Sequence, residues 1–373
     1  MKKTAVQTKT NKHLKNFFSL IIWVLLVQLF SSCTSTQTLQ DQKIDQVAKN
    51  EKNQFPPLDI KKINSLQQIN QLTNEGISHQ VSIAPNGLKI IYISEKKTKH
   101  EHTQIYEMDL KTKSEKRLTY QDGFLNDPIF LNENEIAYAS STDEIKENPL
   151  NTKKNDPSLL EIYLSDRLGN QIERLTKRTG FDGKVSYSPH LSQFIYYVVK
   201  KDNKSWIQRI DRTTNESVVY LQSENDLLST PKFSPNGSQL AWLSQNQKNQ
   251  KLTLQFGNLT SNHLVLKKSI AYLDLPLQSI NNLSWADDQK GIWLTGTVQN
   301  FNYSQIFYYS IAENCLKQVS QESIDVRDFQ DVPFSQQLVI FTLGNQNNSQ
   351  IFTAQRPDLS TIKCLENQNS SLQ

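Results

Sequence analysis

Glycine is scarce in this chain, with 11 among 373 residues, where the average usage of about 7% would supply more than twice as many. That excludes a collagen-like repeat, and no glycine-rich loop able to cradle a phosphate can be found. Three cysteines exclude a disulfide-knotted scaffold, and no Cys-x-x-Cys pair occurs. Hydrophobic residues are 36% of the chain, and even with glycine added the fraction stays below the ~45–50% of ordinary soluble domains. Only one long apolar run exists, so a polytopic membrane protein is excluded. What remains is a soluble, strand-rich protein whose core is thin or divided.

The formal charge of +4 would invite a nucleic-acid reading if it were spread over the chain. Its location decides otherwise. Lys2, Lys3, Lys9, Lys12 and Lys15 stand in residues 1–32 with no acid among them, and the rest of the chain carries 36 basic and 37 acidic residues. No nucleic-acid partner is expected. After the basic segment, Phe17 to Phe30 form a 14-residue run that is apolar apart from Ser19 and Gln28, and Ser31-Ser32-Cys33 follows. This is the order of a signal peptide, 1–32, and the run is short against the ~20 residues of a permanent span. From Thr34 to about Ser65 the chain is rich in Gln, Lys, Asp and Thr, with Pro56-Pro57 and no apolar period, which predicts a flexible tether over 33–65.

The remainder, 66–373, repeats. Val81-Ser-Ile-Ala-Pro-Asn-Gly-Leu-Lys-Ile-Ile-Tyr-Ile-Ser94 and Pro231-Lys-Phe-Ser-Pro-Asn-Gly-Ser-Gln-Leu-Ala-Trp-Leu-Ser244 are nearly self-similar, and Val185 to Val198 is a third copy. Weaker copies run over Pro128–Ser140, Leu283–Gly296 and Phe329–Thr342. Aligning Pro85, Asn132, Pro189, Pro235, Asp287 and Pro333 gives spacings of 47, 57, 46, 52 and 46 residues. Each unit reads as a short strand, a Pro-Asn-Gly type turn, an apolar strand, an alternating strand such as Gln104–Asp109, and a brief strand such as Arg117-Leu118-Thr119. Four antiparallel strands every ~40–50 residues are the signature of a propeller blade. The predicted fold is therefore all-β, a six-bladed β-propeller of four-stranded antiparallel blades. Gln71-Leu72-Thr73 precedes the first unit and is expected to close the ring on the last blade in preference to Ile362-Lys363-Cys364-Leu365. The 57-residue spacing implies an insertion over Ser141–Leu160.

These motifs resemble the TolB-type, WD-like propeller repeat, in which Pro-x-aromatic-Ser-Pro-Asp-Gly is followed by Ile-Ala-Phe, Ile-Tyr-Val-Met-Asp and Arg-Leu-Thr. Leu29-Phe30-Ser31-Ser32-Cys33 likewise resembles a lipobox, which implies diacylation of Cys33, two chains being enough for stable anchoring. Thr34 after it, in place of Asp, leans toward the outer membrane. The resemblance implies a periplasm-facing, monomeric envelope lipoprotein without the α/β domain that precedes the propeller in TolB. It implies no cofactor, no catalysis and a protein partner of the peptidoglycan-associated lipoprotein class. By the same resemblance the partner meets residues preceding the first strand of each blade: His79 and Gln80, Asn126 and Asp127, Asp182 and Lys184, Ser229 and Thr230, Asn281 and Asn282, Arg327 and Asp328.

A carbohydrate-active propeller enzyme with a His-centred metal site is the alternative, drawing on His79, His190 and His263 if the channel gathers them. His100-Glu101-His102 is a weak metal signal at this spacing. No Gly-x-Ser-x-Gly elbow occurs, and too few residues follow Leu365 for the catalytic domain of a serine peptidase. Cys315 and Cys364 fall in what read as outer strands of adjacent units, farther apart than a disulfide allows, so both are expected to be free thiols.

Overall fold

The computed structural model describes residues 65–365 except 96–99, 101, 143–157, 178–179, 260–265, 268–272, 275–276, 299–300, 336 and 346. The segment expected to be a signal peptide, Cys33, the expected tether up to residue 64, Glu101, His263 and most of the predicted insertion lie outside the described residues.

The described strands form six antiparallel sheets, and the first in sequence, β1 (Gln67–Gln71), precedes the first blade. Blade one holds β2 (Ile77–Ile83), β3 (Lys89–Glu95), β4 (Gln104–Asp109) and β5 (Glu115–Arg117). Blade two holds β6 (Leu125–Phe130), β7 (Glu135–Ser140), β8 (Glu161–Asp166) and β9 (Ile172–Arg174). Blade three consists of β10 (Phe181–Tyr187), β11 (Phe194–Lys201), β12 (Lys204–Asp211) and β13 (Ser217–Gln222). Blade four has β14 (Asp226–Phe233), β15 (Gln239–Asn246) and β16 (Leu252–Leu259), edged by the short β17 (Leu266–Lys267) and β18 (Leu273–Asp274). Blade five is β19 (Leu277–Trp285), β20 (Gly291–Val298), β21 (Gln305–Ser310) and β22 (Cys315–Gln318), and blade six is β23 (Val326–Asp331), β24 (Leu338–Asn345) and β25 (Asn348–Gln355). The fourth strand of blade six is β1, antiparallel to β25. The molecule is a six-bladed β-propeller closed by its N-terminal strand, as the repeat predicted.

The apolar second strands explain how the ring holds together. Along β3, Ile90 and Tyr92 enter a cluster with Val332, Ile340 and Ile351 of blade six, while Ile91 and Ile93 enter one with Leu125, Ile136 and Tyr138 of blade two. Successive side chains of a strand point to opposite faces, so an uninterrupted apolar strand supplies two cores at once. Leu240 and Trp242 likewise pack toward blade three while Ala241 and Leu243 pack toward blade five. The hydrophobic clusters of the described residues lie between adjacent blades, and together they occupy all six junctions.

The brief fourth strand is fastened by the two residues that follow it. The Leu118 N–H donates to Ile105 O and the Ile105 N–H to Thr119 Oγ1, at 2.8 Å each. Leu175 and Thr176 repeat this against Ile162, and Val319 and Ser320 against Ile306. Leu72 and Thr73 repeat it against Ile351, 278 residues away in sequence. The preceding glutamine completes the clasp. Gln104 Oε1 accepts from Thr119 Oγ1 and its Nε2 donates to Gln121 O, and Gln305 does the same with Ser320 and Glu322. The Pro-Asn-Gly turn is equally determined: Gly87 has φ +71°, and a Cβ there would lie 2.4 Å from Pro333 O of blade six.

The cysteine expectation is overturned. Cys315 and Cys364 form a disulfide with Cα atoms 5.7 Å apart. Cys364 does not belong to the edge of blade six, because β1 occupies it; the chain returns instead to the outer edge of blade five. There Cys364 pairs with Lys317, the Leu365 N–H donates to Leu316 O at 2.7 Å, and Lys317 Nζ donates to Leu359 O. The two candidate closing segments thus edge different blades.

Two outcomes follow. Thr73→Val, which keeps shape but removes the acceptor of a buried N–H, is expected to cost about 1–3 kcal/mol in urea denaturation. Thiol titration of the denatured, unreduced chain is expected to find neither Cys315 nor Cys364. The Cys315→Ala/Cys364→Ala pair should unfold earlier, by at most ~4 kcal/mol for opening a loop of this length.

Candidate functional site at the channel

The innermost strands β2, β6, β10, β14, β19 and β23 adjoin one another in turn and close on themselves, which defines a central channel. The residues predicted to precede these strands lie inside them. His79 and Gln80 are in β2, Asn126 and Asp127 in β6, Asp182 and Lys184 in β10, Ser229 and Thr230 in β14, Asn281 and Asn282 in β19, and Arg327 and Asp328 in β23. The ladder register shifts in every one of these strands, between His79 and Ser82, Asn126 and Ile129, Gly183 and Ser186, Ser229 and Lys232, Ile280 and Asn282, and Arg327 and Gln330. Each is a β-bulge, which re-aims side chains at the expense of ladder pairing.

The bulges carry a backbone signature. Gln80, Asp127, Lys184, Thr230 and Asp328 have φ of 54°, 49°, 53°, 51° and 52°. Left-handed backbone is uncommon for residues other than glycine. Its recurrence at one equivalent position in five blades makes it a designed feature of the channel. Blade five departs, with no left-handed residue at its bulge among the described residues.

At these positions the blades are linked by a relay. The Gln80 N–H donates to Asp328 Oδ2 at 2.8 Å, the Asp127 N–H to Gln80 Oε1 at 2.7 Å, and the Lys184 N–H to Asp127 Oδ2 at 2.7 Å. From blade six through blade three, each bulge side chain accepts the peptide N–H of the next. Lys184 Nζ also reaches Asp127 Oδ1 at 3.3 Å, and the Asp127 carboxylate holds the Lys184 ammonium above the usual lysine range against the opposing effect of burial. Other junctions use side chains that the sequence reading did not single out. Ser284 Oγ donates to Phe329 O, Trp285 Nε1 to Lys232 O, and Gln330 Nε2 to Val81 O. Two of these, Ser284 and Gln330, stand at the position two residues beyond the bulge. The spacing was available in the sequence, but only the bulge shows which side chains it turns toward the next blade.

Several of the other predicted residues have local partners. His79 Nε2 lies 3.3 Å from Glu95 Oε1, Asn281 Nδ2 donates to Ser304 Oγ, and Asn282 Oδ1 accepts the Leu283 N–H. Arg327 sits 3.4 Å from Asp325, and Asp182 and Asn126 are buried. His190 is exposed in a short 3-10 turn (Pro189–Leu191) beyond the end of β10. It is not brought beside His79. His100 is taken up by contacts with His102 O and the Tyr106 hydroxyl. Among the described residues, the one cluster of His, Cys, Asp or Glu close enough to hold a metal is Glu313, Cys315 and Cys364, and its two sulfurs are joined.

No protein-family model matches the chain, and no curated protein matches it. Solved structures do. TolB from Acinetobacter baumannii superposes with a TM-score of 0.53 at 13% identity, over 73% of this chain and 65% of that one. A putative TolB from Agrobacterium tumefaciens gives 0.52 at 12% identity, over 78% of this chain and 97% of that one. The structural neighbours include TolB-type β-propellers. An oligogalacturonate lyase in complex with manganese superposes with a TM-score of 0.51 at 12% identity, over 79% of this chain and 95% of that one. At such identities the likeness is one of fold, and one fold hosts several functions. The chain spans just under two thirds of the Acinetobacter protein.

Asp127→Asn keeps an oxygen for the Lys184 N–H but removes the charge that raises Lys184. A lysine whose folded value is raised contributes stability below its unfolded value and loses it as pH rises through the folded value. The variant is expected to lose about 1–2 kcal/mol at neutral pH. In urea denaturation, the gap from the parent should narrow in the strongly alkaline range.

Proposed function

We propose that this chain is a lipid-anchored cell-envelope propeller that binds another protein at the mouth of its channel and performs no catalysis of its own. The observation that carries the reading is the set of bulges in the inner strands, at which polar residues recur around one channel. A protein presenting a loop to that channel would meet up to six blades at once, and a polar ring suits such recognition. The basic, apolar and small-residue order ending at Cys33 supports export and acylation there, with the folded part held at the outer membrane and facing the periplasm. A disulfide between Cys315 and Cys364 agrees with an oxidising compartment. The likeness in fold to TolB supports a partner of the peptidoglycan-associated lipoprotein class.

The test is photocrosslinking in living cells from a reactive residue placed at Arg327, which lies in the bulge of blade six. One envelope protein should be captured, and capture should fall at least tenfold when Gln80→Ala and Asn126→Ala are combined. Capture of nothing from this position, with efficient capture from an outer-edge control such as Val219, would reject the channel as the binding face. A sugar-cleaving activity abolished by chelation would reject the non-catalytic reading.

A further inference from the structure

The relay of bulge oxygens runs from blade six to blade three, and the junction at which it stops has a defined chemistry. In blades six, one and two the bulge side chain is Asp328, Gln80 or Asp127, and its oxygen accepts the N–H of the next bulge residue. In blade three the equivalent residue is Lys184, which has donors and no acceptor. The next bulge residue, Thr230, has the same left-handed backbone, φ 51°. Among the described residues no bond joins its N–H to blade three. Two residues beyond it stands Lys232, for which no ion pair is formed within the described residues. Asp127, Asp328 and Lys184, on the inner strands of three other blades, act electrostatically on its ammonium. Desolvation holds that ammonium below the usual lysine range. Asp127 is already engaged by both nitrogens of Lys184, and Asp328 Oδ2 by the Gln80 N–H and the Thr342 hydroxyl.

Resting on the protein-binding reading above, we propose that the junction of blades three and four is a carboxylate-binding subsite, filled by an acidic side chain of the protein partner. The incoming oxygen stands where Asp328, Gln80 and Asp127 place theirs at the preceding junctions, accepting from Thr230 N–H, and Lys184 and Lys232 supply the positive charge. Charge-assisted hydrogen bonds in a partly desolvated channel are stronger than neutral ones, and a carboxylate satisfies donors that an amide oxygen meets less well. The relay thus assigns selectivity to one position. A partner loop bearing Glu or Asp extends the relay by one junction, and one bearing Gln or Asn does not gain the charge.

The test needs no partner. The full chain in detergent is reductively methylated with carbon-13 at its lysines, and the Lys184 and Lys232 resonances are assigned from K184Q and K232M. The probes are N-acetyl-glutamate N-methylamide, its glutamine counterpart, glucuronate, and sodium chloride at matched ionic strength. The glutamate compound is expected to shift both resonances saturably, with an affinity at least tenfold above that of the glutamine compound. K184Q supplies its own oxygen to Thr230 N–H, so the Lys232 response should weaken at least tenfold, and K232M should weaken the Lys184 response similarly. If either variant fails to fold, the other decides. No shift, or a proportional shift of all lysines, overturns the subsite. Tenfold tighter binding of glucuronate than of the glutamate compound overturns the protein side chain as its occupant. Failure here with successful crosslinking leaves a partner that binds without this subsite, and the reverse leaves the subsite without that partner.

Discussion

Every sheet in this molecule is covered on both faces by its neighbours, and nearly everything else depends on that constraint. A four-stranded sheet with an apolar strand exposed on either side would not be stable in water. Here each sheet serves two half-cores, and the series has no free end only if the last sheet meets the first. Ile90 and Tyr92 meet Val332, Ile340 and Ile351 at that last junction. The low apolar content of the chain is sufficient because one strand per blade supplies two interfaces. Closure is then secured by strand β1 and by Thr73 just after it, which accepts the Ile351 N–H.

The channel is where local regularity is given up. Bulges break the inner ladders, and left-handed backbone at Gln80, Asp127, Lys184, Thr230 and Asp328 runs against the preference of residues with a Cβ. Hydrogen bonds between blades offset part of that cost. Carboxylate and carboxamide oxygens receive the peptide groups that the bulges release from the ladder. The same device that binds blade to blade leaves the pattern of donors facing the channel dependent on one side chain per blade, so a single lysine in the series changes what the channel can accept.

Much of the fold was legible in particular residues. The Pro-Asn-Gly turns of blades one and four, the apolar quartets such as Leu240-Ala241-Trp242-Leu243, and the Leu-Thr pair after β1, β5 and β9 recur because each makes an equivalent contact in its own blade. Gln71-Leu72-Thr73 could be assigned to closure because it carries the same pair as Leu118-Thr119 without a blade of its own. The cysteines misled because their sequence positions suggested equivalent edges of adjacent blades. Once β1 had taken the edge of blade six, the segment after Gln355 had to go elsewhere, and that displacement brings Cys364 to Cys315. The residues read as loops before the inner strands lie within them, since a bulge differs from a strand end only in backbone torsion.

Sequence alone determined the repeat, the number of blades, the order of strands within each, and the segregation of the excess positive charge into the first 32 residues. These rest on period and local pattern, which survive without knowledge of neighbours. Tertiary structure decided which edge each terminus covers, that Cys315 and Cys364 pair, and that bulge oxygens pass from blade six to blade three and stop at Lys184. All of these join residues from different blades. Contacts between blades depend on ring geometry, because closing six twisted sheets around one axis fixes which of many chemically similar side chains come together.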